Sequence, residues 1–207
     1  MGVRKQSLEL AKGKPLAIVG LHTLLSSPLK NVMAVVHPED PLEWLSVEGG
    51  AAGHAAPSDV KAVRLVACPE ASQGMSYSIR CGLKALMADE PALDAIVVAL
   101  ADQPFITSEM IAELIHYWSE RPELDFVATA AHDAGGKSIV LMPPAVLSRS
   151  MFASVLLLEG DTGARKLFQS PDFKGCGLVA ADRTTLLDID TPADMELAKK
   201  HYSAYFI

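Results

Sequence analysis

The run Ala95-Ile96-Val97-Val98-Ala99-Leu100 restricts the possible fold of this chain more than any other stretch. Six consecutive apolar residues, half of them β-branched, predict a strand buried on both faces, as in a parallel sheet covered by helices on either side. Ala101-Asp102-Gln103-Pro104 follows, and a new helix is predicted to begin near Thr107. Open α/β sheets bind ligands beyond the carboxyl ends of their strands, which is where Asp102 falls. At this point Asp102 has two readings, a loop or helix-cap aspartate and a site acid.

Further apolar runs predict strands at residues 31–37, 63–68, 125–131 and 139–142, with shorter candidates at 178–181 and 186–187. Helical patterns occupy residues 16–25, 75–88, 107–120, 143–150, 153–168 (broken by Gly160-Asp161-Thr162-Gly163) and 192–202, with a short helix at 41–45. The first dozen residues and Gly49–Ser58 read as loops. Strands alternating with helices at this spacing predict one domain over residues 1–207, a three-layer αβα fold on a mostly parallel, Rossmann-like sheet. Met75, Ile79, Leu83, Leu86 and Met87 fall on one helical face and belong to the core. The entrance of that helix offers free N–H groups and the hydroxyls of Ser72, Ser76 and Ser78.

A second acidic stretch, Asp188-Ile189-Asp190-Thr191-Pro192-Ala193-Asp194, precedes the last helix. Thr191-Pro192 is a helix start, and Asp194 suits the positive end of the helix dipole. Asp188 and Asp190 need another explanation. Alternation places them on one face of an extended segment. Together with Asp102, one of them supplies the two carboxylates of a minimal Mg²⁺ site completed by water and phosphate. The net charge of −7, with no Lys/Arg cluster, argues against nucleic-acid binding and favours a divalent cation over a basic pocket for phosphate substrates. The motifs GxxxxGK[ST], GxGxxG, GxSxG and HExxH are absent. The six histidines are scattered and read as structural. Gly160-Asp161-Thr162-Gly163-Ala164-Arg165 has two equal readings: a loop presenting Arg165 to an anion, or a helix start capped by Asp161. Cys68, Cys81 and Cys176, without CxxC spacing, read as reduced thiols of a cytoplasmic protein. No apolar run reaches the ~18 residues of a membrane span, and the first seven residues lack the apolar core of a signal peptide.

Six pieces in order complete a family pattern: Met1-Gly2-x-x-Lys5, Gly13-Lys14-Pro15-Leu16, Gln73-Gly74-Met75-Ser76-Tyr77-Ser78-Ile79-Arg80-x-Gly82-Leu83, Leu100-Ala101-Asp102-Gln103-Pro104, Gly160-Asp161-x-Gly163-Ala164-Arg165 and Asp188-Ile189-Asp190-Thr191-Pro192. Over essentially its whole length the chain resembles the molybdenum cofactor cytidylyltransferases, which include the xanthine dehydrogenase accessory proteins, within the MobA-like, GT-A-like nucleotidylyltransferase fold. The resemblance implies attack of a molybdopterin phosphate on the α-phosphorus of CTP or GTP, with release of pyrophosphate. It implies Mg²⁺ on Asp102 and Asp190, and Lys5 on triphosphate oxygens. It also implies Gln73, Gly74 and Ser76 beside the nucleotide, and Lys137, Asp161 and Arg165 on the pterin side. A molybdenum hydroxylase such as xanthine dehydrogenase is the implied partner.

The chain departs from the family at two places. The family begins with a strand leading into Leu-x-Ala-Gly-x-Ser-x-Arg-Met-Gly, the loop that wraps the triphosphate, whereas this sequence starts at the Met-Gly. Loss of a central strand leaves its neighbours unpaired and a groove in the core. The expectation is therefore a sheet that closes up, borrows a strand, or belongs to a longer chain whose start has been assigned too late. The second departure is Gly136-Lys137-Ser138-Ile139, where the family has Gly-His-Pro and an aliphatic residue; in addition, Thr162 replaces a common arginine. Two alternatives stand beside cytidylyl transfer to molybdopterin. One is transfer to another phosphorylated acceptor, such as a sugar or alcohol phosphate. The other is a non-catalytic molybdopterin carrier.

Overall fold

The computed structural model describes residues 5–45, 63–133, 135–161 and 163–206. After a 3₁₀ turn at Lys5–Ser7, a small antiparallel hairpin pairs β1 (Glu9–Ala11) with β2 (Lys14–Pro15). Residues 5–15 therefore hold regular turns and a hairpin rather than a plain loop, and Leu10 anchors the hairpin in the core. Helix α1 (Leu16–Ser26) follows, then β3 (Val32–Val36), a 3₁₀ turn at Glu43–Leu45, β4 (Val63–Ala67) and a 3₁₀ helix at Pro69–Gln73. The loop expected at Gly49–Ser58 lies outside the described residues. Helix α2 (Met75–Asp89), β5 (Ala95–Val98), α3 (Ser108–Ser119), β6 (Phe126–His132) and β7 (Ile139–Ser148) come next. The chain ends with α4 (Phe152–Val155), α5 (Arg165–Phe168), β8 (Gly175–Val179), a 3₁₀ turn at Arg183–Leu186 and α6 (Pro192–Phe206).

Two expectations about elements are corrected. Residues 143–150 are not a helix; 143–148 continue β7. The two prolines have no N–H to give the ladder, so the pairing with β6 steps from Thr129↔Met142 to Ala128↔Ala145, with Pro143-Pro144 bulged between. Thr129 Oγ1 donates to the Pro144 carbonyl (2.8 Å) inside this bulge. Residues 186–187 are not a strand either. Asp182 accepts from Thr184 N–H (2.8 Å) and Thr184 Oγ1 (2.6 Å), which winds the segment into a 3₁₀ turn.

The main sheet has the order β5-β7-β6-β8; β7 runs antiparallel to both neighbours and β6 pairs with β8 in parallel. Alternation along its central strands divides the core. Phe126, Ala128, Ala145 and Leu147 face α2, α4 and α5, with Leu83, Met151, Phe152 and Phe168. Val127 and Val146 face the opposite way, against Leu114 of α3. Helices on both faces of a mixed α/β sheet give the expected three layers.

The parallel pair β3–β4 forms a separate sheet. Between β3 and β5 lies an apolar slot of about 420 Å³, lined by Met33–Val36, by 96–100, and by α1 and α2. This is the groove the sequence led us to expect, held open rather than closed up. It also corrects the reading of 95–100 as a strand buried on both faces. Regular pairing ends at Val98, and Ala95 and Val97, on the face towards α3, are only half-buried.

Candidate active site

The site is built on a small apolar cluster beneath the carboxyl end of β5. Leu10 of the amino-terminal hairpin, Leu16 at the start of α1, Phe105, Ile189, and Met195 and Ala198 of α6 bury one another there. Phe105 also meets the His201 ring edge-on, with 4.7 Å between centroids. Ile189 N–H donates to the Asp102 carbonyl (3.0 Å), tying the two acidic segments together. With Ile189 completely buried, alternation turns Asp188 and Asp190 the other way, as the sequence predicted. The Thr191-Pro192 start of α6 is held by Asp194. Its carboxylate accepts from Thr191 N–H (2.7 Å), Thr191 Oγ1 (2.8 Å) and Asp190 N–H (3.2 Å), and its own N–H donates to Thr191 Oγ1 (3.2 Å). This is a capping box with aspartate in the place of glutamate.

Four charged side chains meet on this platform. Lys5 Nζ donates to Asp190 Oδ1 at 2.7 Å and stands 3.8 Å from Asp102 Oδ2. Asp188 Oδ1 accepts from Gln103 Nε2 at 2.8 Å. Burial pushes the Asp102 carboxyl above its usual value, the Asp188 charge adds to this, and the Lys5 ammonium partly opposes it. Lys5 is raised in turn, first by its hydrogen bond to Asp190 and then by attraction to Asp190, Asp102 and Asp188. The site thus gathers an excess of negative charge that one ammonium incompletely balances.

Hard oxygen donors fit a small divalent cation, and Lys5 already marks where positive charge is held. Among the described residues no three carboxylate, imidazole or thiol side chains cage a metal alone. A cation here would take one or two carboxylates, as Mg²⁺ does when phosphate and water complete its shell.

Gln103 is the residue that motif reading passed over. It is 1% exposed, and its Oε1 has no hydrogen-bond partner among the described residues. Its signal was its place, a polar residue between an apolar strand and buried Phe105.

The other expected contacts lie elsewhere. Gln73 is exposed in the 3₁₀ helix before α2, and Gly74 adopts φ 129° against the Gly160 backbone. The entrance of α2 does not present free N–H groups. Met75 N–H donates to Asp161 Oδ1 (3.0 Å) and Ser76 N–H to the Gly160 carbonyl (3.2 Å). Ser76 is fully buried and its Oγ contacts the Glu159 carbonyl (3.4 Å). Its N–H and hydroxyl are thus both engaged within the protein. Asp161 is indeed a cap, but of α2 from a distant loop rather than of its own helix. Arg165 is exposed at the start of α5. Lys137 is exposed in the β6–β7 turn, where its N–H donates to Asp133 Oδ1 (2.8 Å). The structure therefore brings together Lys5, Asp102, Asp188 and Asp190, while Lys137, Asp161 and Arg165 are not joined to them by any direct contact. All three cysteines are free thiols.

Three acids thus stand at the carboxyl edge of a three-layer sheet with a lysine among them. The MobA-like NTP transferase domain model matches residues 1–175. The chain belongs to that family and is a nucleotidyltransferase. It is 34% identical over 205 residues to the purine catabolism protein PucB of Bacillus subtilis (strain 168), covering 98% of this chain and 91% of that protein. Its fold is that of the molybdopterin-guanine dinucleotide biosynthesis protein A from Archaeoglobus fulgidus (19% identity, TM-score 0.65, 98% and 92% of the two chains covered). It is likewise that of Rv0371c from Mycobacterium tuberculosis H37Rv, solved as a manganese complex (20% identity, TM-score 0.63, 95% and 91% covered). No helix among the described residues is long and apolar enough to cross a membrane.

Proposed function

We propose that this protein transfers CMP from CTP to a molybdopterin-type cofactor, with a divalent cation, Mg²⁺ by preference, held by Asp102 and Asp190. The observation that carries the proposal is the convergence of Lys5, Asp102, Asp188 and Asp190 at the sheet edge. The ordered motifs and the relationship to PucB support the choice of acceptor, and a molybdenum hydroxylase of the xanthine dehydrogenase type is the matching recipient. In the reaction an oxygen of the acceptor phosphate bonds to the α-phosphorus. The bond from that phosphorus to the bridging oxygen breaks, and pyrophosphate leaves with the electron pair.

Such chemistry needs positioning and charge neutralisation rather than a covalent nucleophile. The cation supplies neutralisation of the phosphate oxygens. Lys5 holds a second positive charge against the triphosphate, and Asp188 keeps its orientation through Gln103. In this reading Gln73 and Gly74 face the base, and Lys137, Asp161 and Arg165 contribute to the pterin side. The exposed Lys137, where the family has Gly-His-Pro, favours a second reading in which another phosphorylated acceptor, such as a sugar or alcohol phosphate, is used.

The test is pyrophosphate release by the purified protein with CTP or GTP, Mg²⁺ and molybdopterin, repeated with sugar phosphates. CTP with molybdopterin is expected to be the productive pair. Absence of pyrophosphate with every nucleotide and acceptor would remove the proposal. The Asp102→Asn protein is expected to lose turnover by at least ~100-fold, as loss of a group that organises transition-state charge does, while remaining folded by circular dichroism.

A further inference from the structure

Helix α2 has no cap of its own. Gly74 stands at its N-cap position with no side chain to accept a hydrogen bond, although the first N–H groups of a helix have no partner within it. The partners come from residues 158–161. Met75 N–H donates to Asp161 Oδ1 (3.0 Å) and Ser76 N–H to the Gly160 carbonyl (3.2 Å). Ser76 Oγ reaches the Glu159 carbonyl (3.4 Å), and Arg80 Nη1 donates to the Leu158 carbonyl (3.2 Å). Successive residues of the loop thus each serve the start of α2. Leu158 and Ala164, on either side of the loop, are buried in the core, so its two ends are held.

Gly74 is also the joint between two helical pieces. It ends the 3₁₀ helix at Pro69–Gln73 and begins α2, with φ 129°. Glycine adopts that region without the cost a side chain imposes, so the chain itself does not fix the angle between the pieces. The loop does. A Cβ on Gly74 would lie 2.5 Å from the Gly160 carbonyl oxygen and 3.0 Å from the Asp161 nitrogen, which places the two backbones in direct contact. Gln73 stands immediately before this joint. Its direction relative to α2 therefore depends on how Gly160 and Asp161 hold Gly74 and Met75.

We propose that Asp161 is a positioning residue for the nucleotide. Its carboxylate fixes the Gln73–Gly74 turn, and it serves the pterin side only through the loop that leads to Arg165. The proposal rests on the reading in which Gln73 and Gly74 face the base. It assigns the Gly160-Asp161-x-Gly163 stretch to nucleotide affinity. Arg165, exposed at the start of α5, is left as the acceptor contact of the same segment. Gly163 belongs to the same device, since a Cβ there would lie 2.8 Å from Met75 Sδ.

The test compares wild type with Asp161→Ala, Asp161→Asn and Arg165→Ala, each checked for a native circular dichroism spectrum. Asparagine caps helices as well as aspartate does and alanine does not, so a cap and a charged contact respond differently to these changes. In calorimetric titration with CTP and Mg²⁺, without acceptor, Asp161→Ala is expected to bind CTP ~10-fold more weakly. Asp161→Asn and Arg165→Ala are expected to stay within about 2-fold of wild type. In pyrophosphate release, Asp161→Ala should raise the KM for CTP and leave kcat and the KM for molybdopterin within about 2-fold. Arg165→Ala should raise the KM for molybdopterin alone. Unchanged CTP affinity in Asp161→Ala overturns the proposal, and so does a raised KM for molybdopterin in both Asp161 variants. A wild type that binds no CTP removes the base reading and this proposal together. A wild type that binds CTP no better than Asp161→Ala does removes this proposal alone.

Discussion

Lys5 occupies the place a divalent cation would have to take between Asp102 and Asp190, so ammonium and cation compete for the same carboxylates. Lys5→Met is expected to bind Mn²⁺ several-fold more tightly by calorimetric titration while losing turnover. Weaker binding would show that Lys5 organises the carboxylates rather than competing with the ion. The fold raises the Asp102 pKa, so the native state binds this proton more tightly than the unfolded chain does. Stability contributed by this group therefore falls as pH rises through the window above the ordinary 3.8. In metal-free buffer Asp102→Asn is expected to remove that slope and to melt higher than wild type at neutral pH. Gln103→Leu takes the Nε2 donor from Asp188 and leaves a carboxylate short of its partner, a loss of about 1–3 kcal/mol. At roughly 2–4 °C per kcal/mol for a chain of this size, thermal denaturation should show it directly.

At the scale of elements, the entrance of α2 depends on its contact with the loop at 159–161. Gly74 combines φ 129° with a position where an added Cβ would lie 2.5 Å from the Gly160 carbonyl oxygen. Backbone cannot give way as a flexible side chain can. Gly74→Ala is therefore expected to cost ~2 kcal/mol or more, measured as a lower urea midpoint with unchanged slope. The sequence showed glycines at both places and an acid at 161, but not that they meet, since 86 residues separate Met75 from Asp161. The extension of β7 through Pro143-Pro144 was illegible for a similar reason. Local rules read Pro-Pro as a helix start, and only the presence of β6 turns the same residues into a bulge.

For the whole molecule, the acidic cluster predicts a ligand-dependent stability. A cation bound to the folded state alone adds about 2.7 kcal/mol at a concentration 100 times its dissociation constant. Calorimetry with Mg²⁺ or Mn²⁺ is then expected to raise the melting midpoint by ~5–10 °C over that in chelator. The increase should disappear in Asp102→Asn. A rise of equal size in that variant would place the cation elsewhere.

Much of the architecture is local information. Apolar runs mark the strands at 32–36, 63–67 (broken only by Arg64) and 95–98, and Pro15, Thr107 and Thr191-Pro192 mark helix starts, because burial and capping act on residues close together in the chain. Asp102 was likewise legible as an acid at a strand end, and Asp188 and Asp190 as a pair on one face. Tertiary structure alone decided how these meet: Lys5 is 185 residues from the carboxylate it binds, and Gln103 is 85 from Asp188. It also decided that β3 and β5 stand apart. Hydrogen-bonding partners of a strand are set by what lies beside it in space, and no pattern within six apolar residues records whether both edges are occupied.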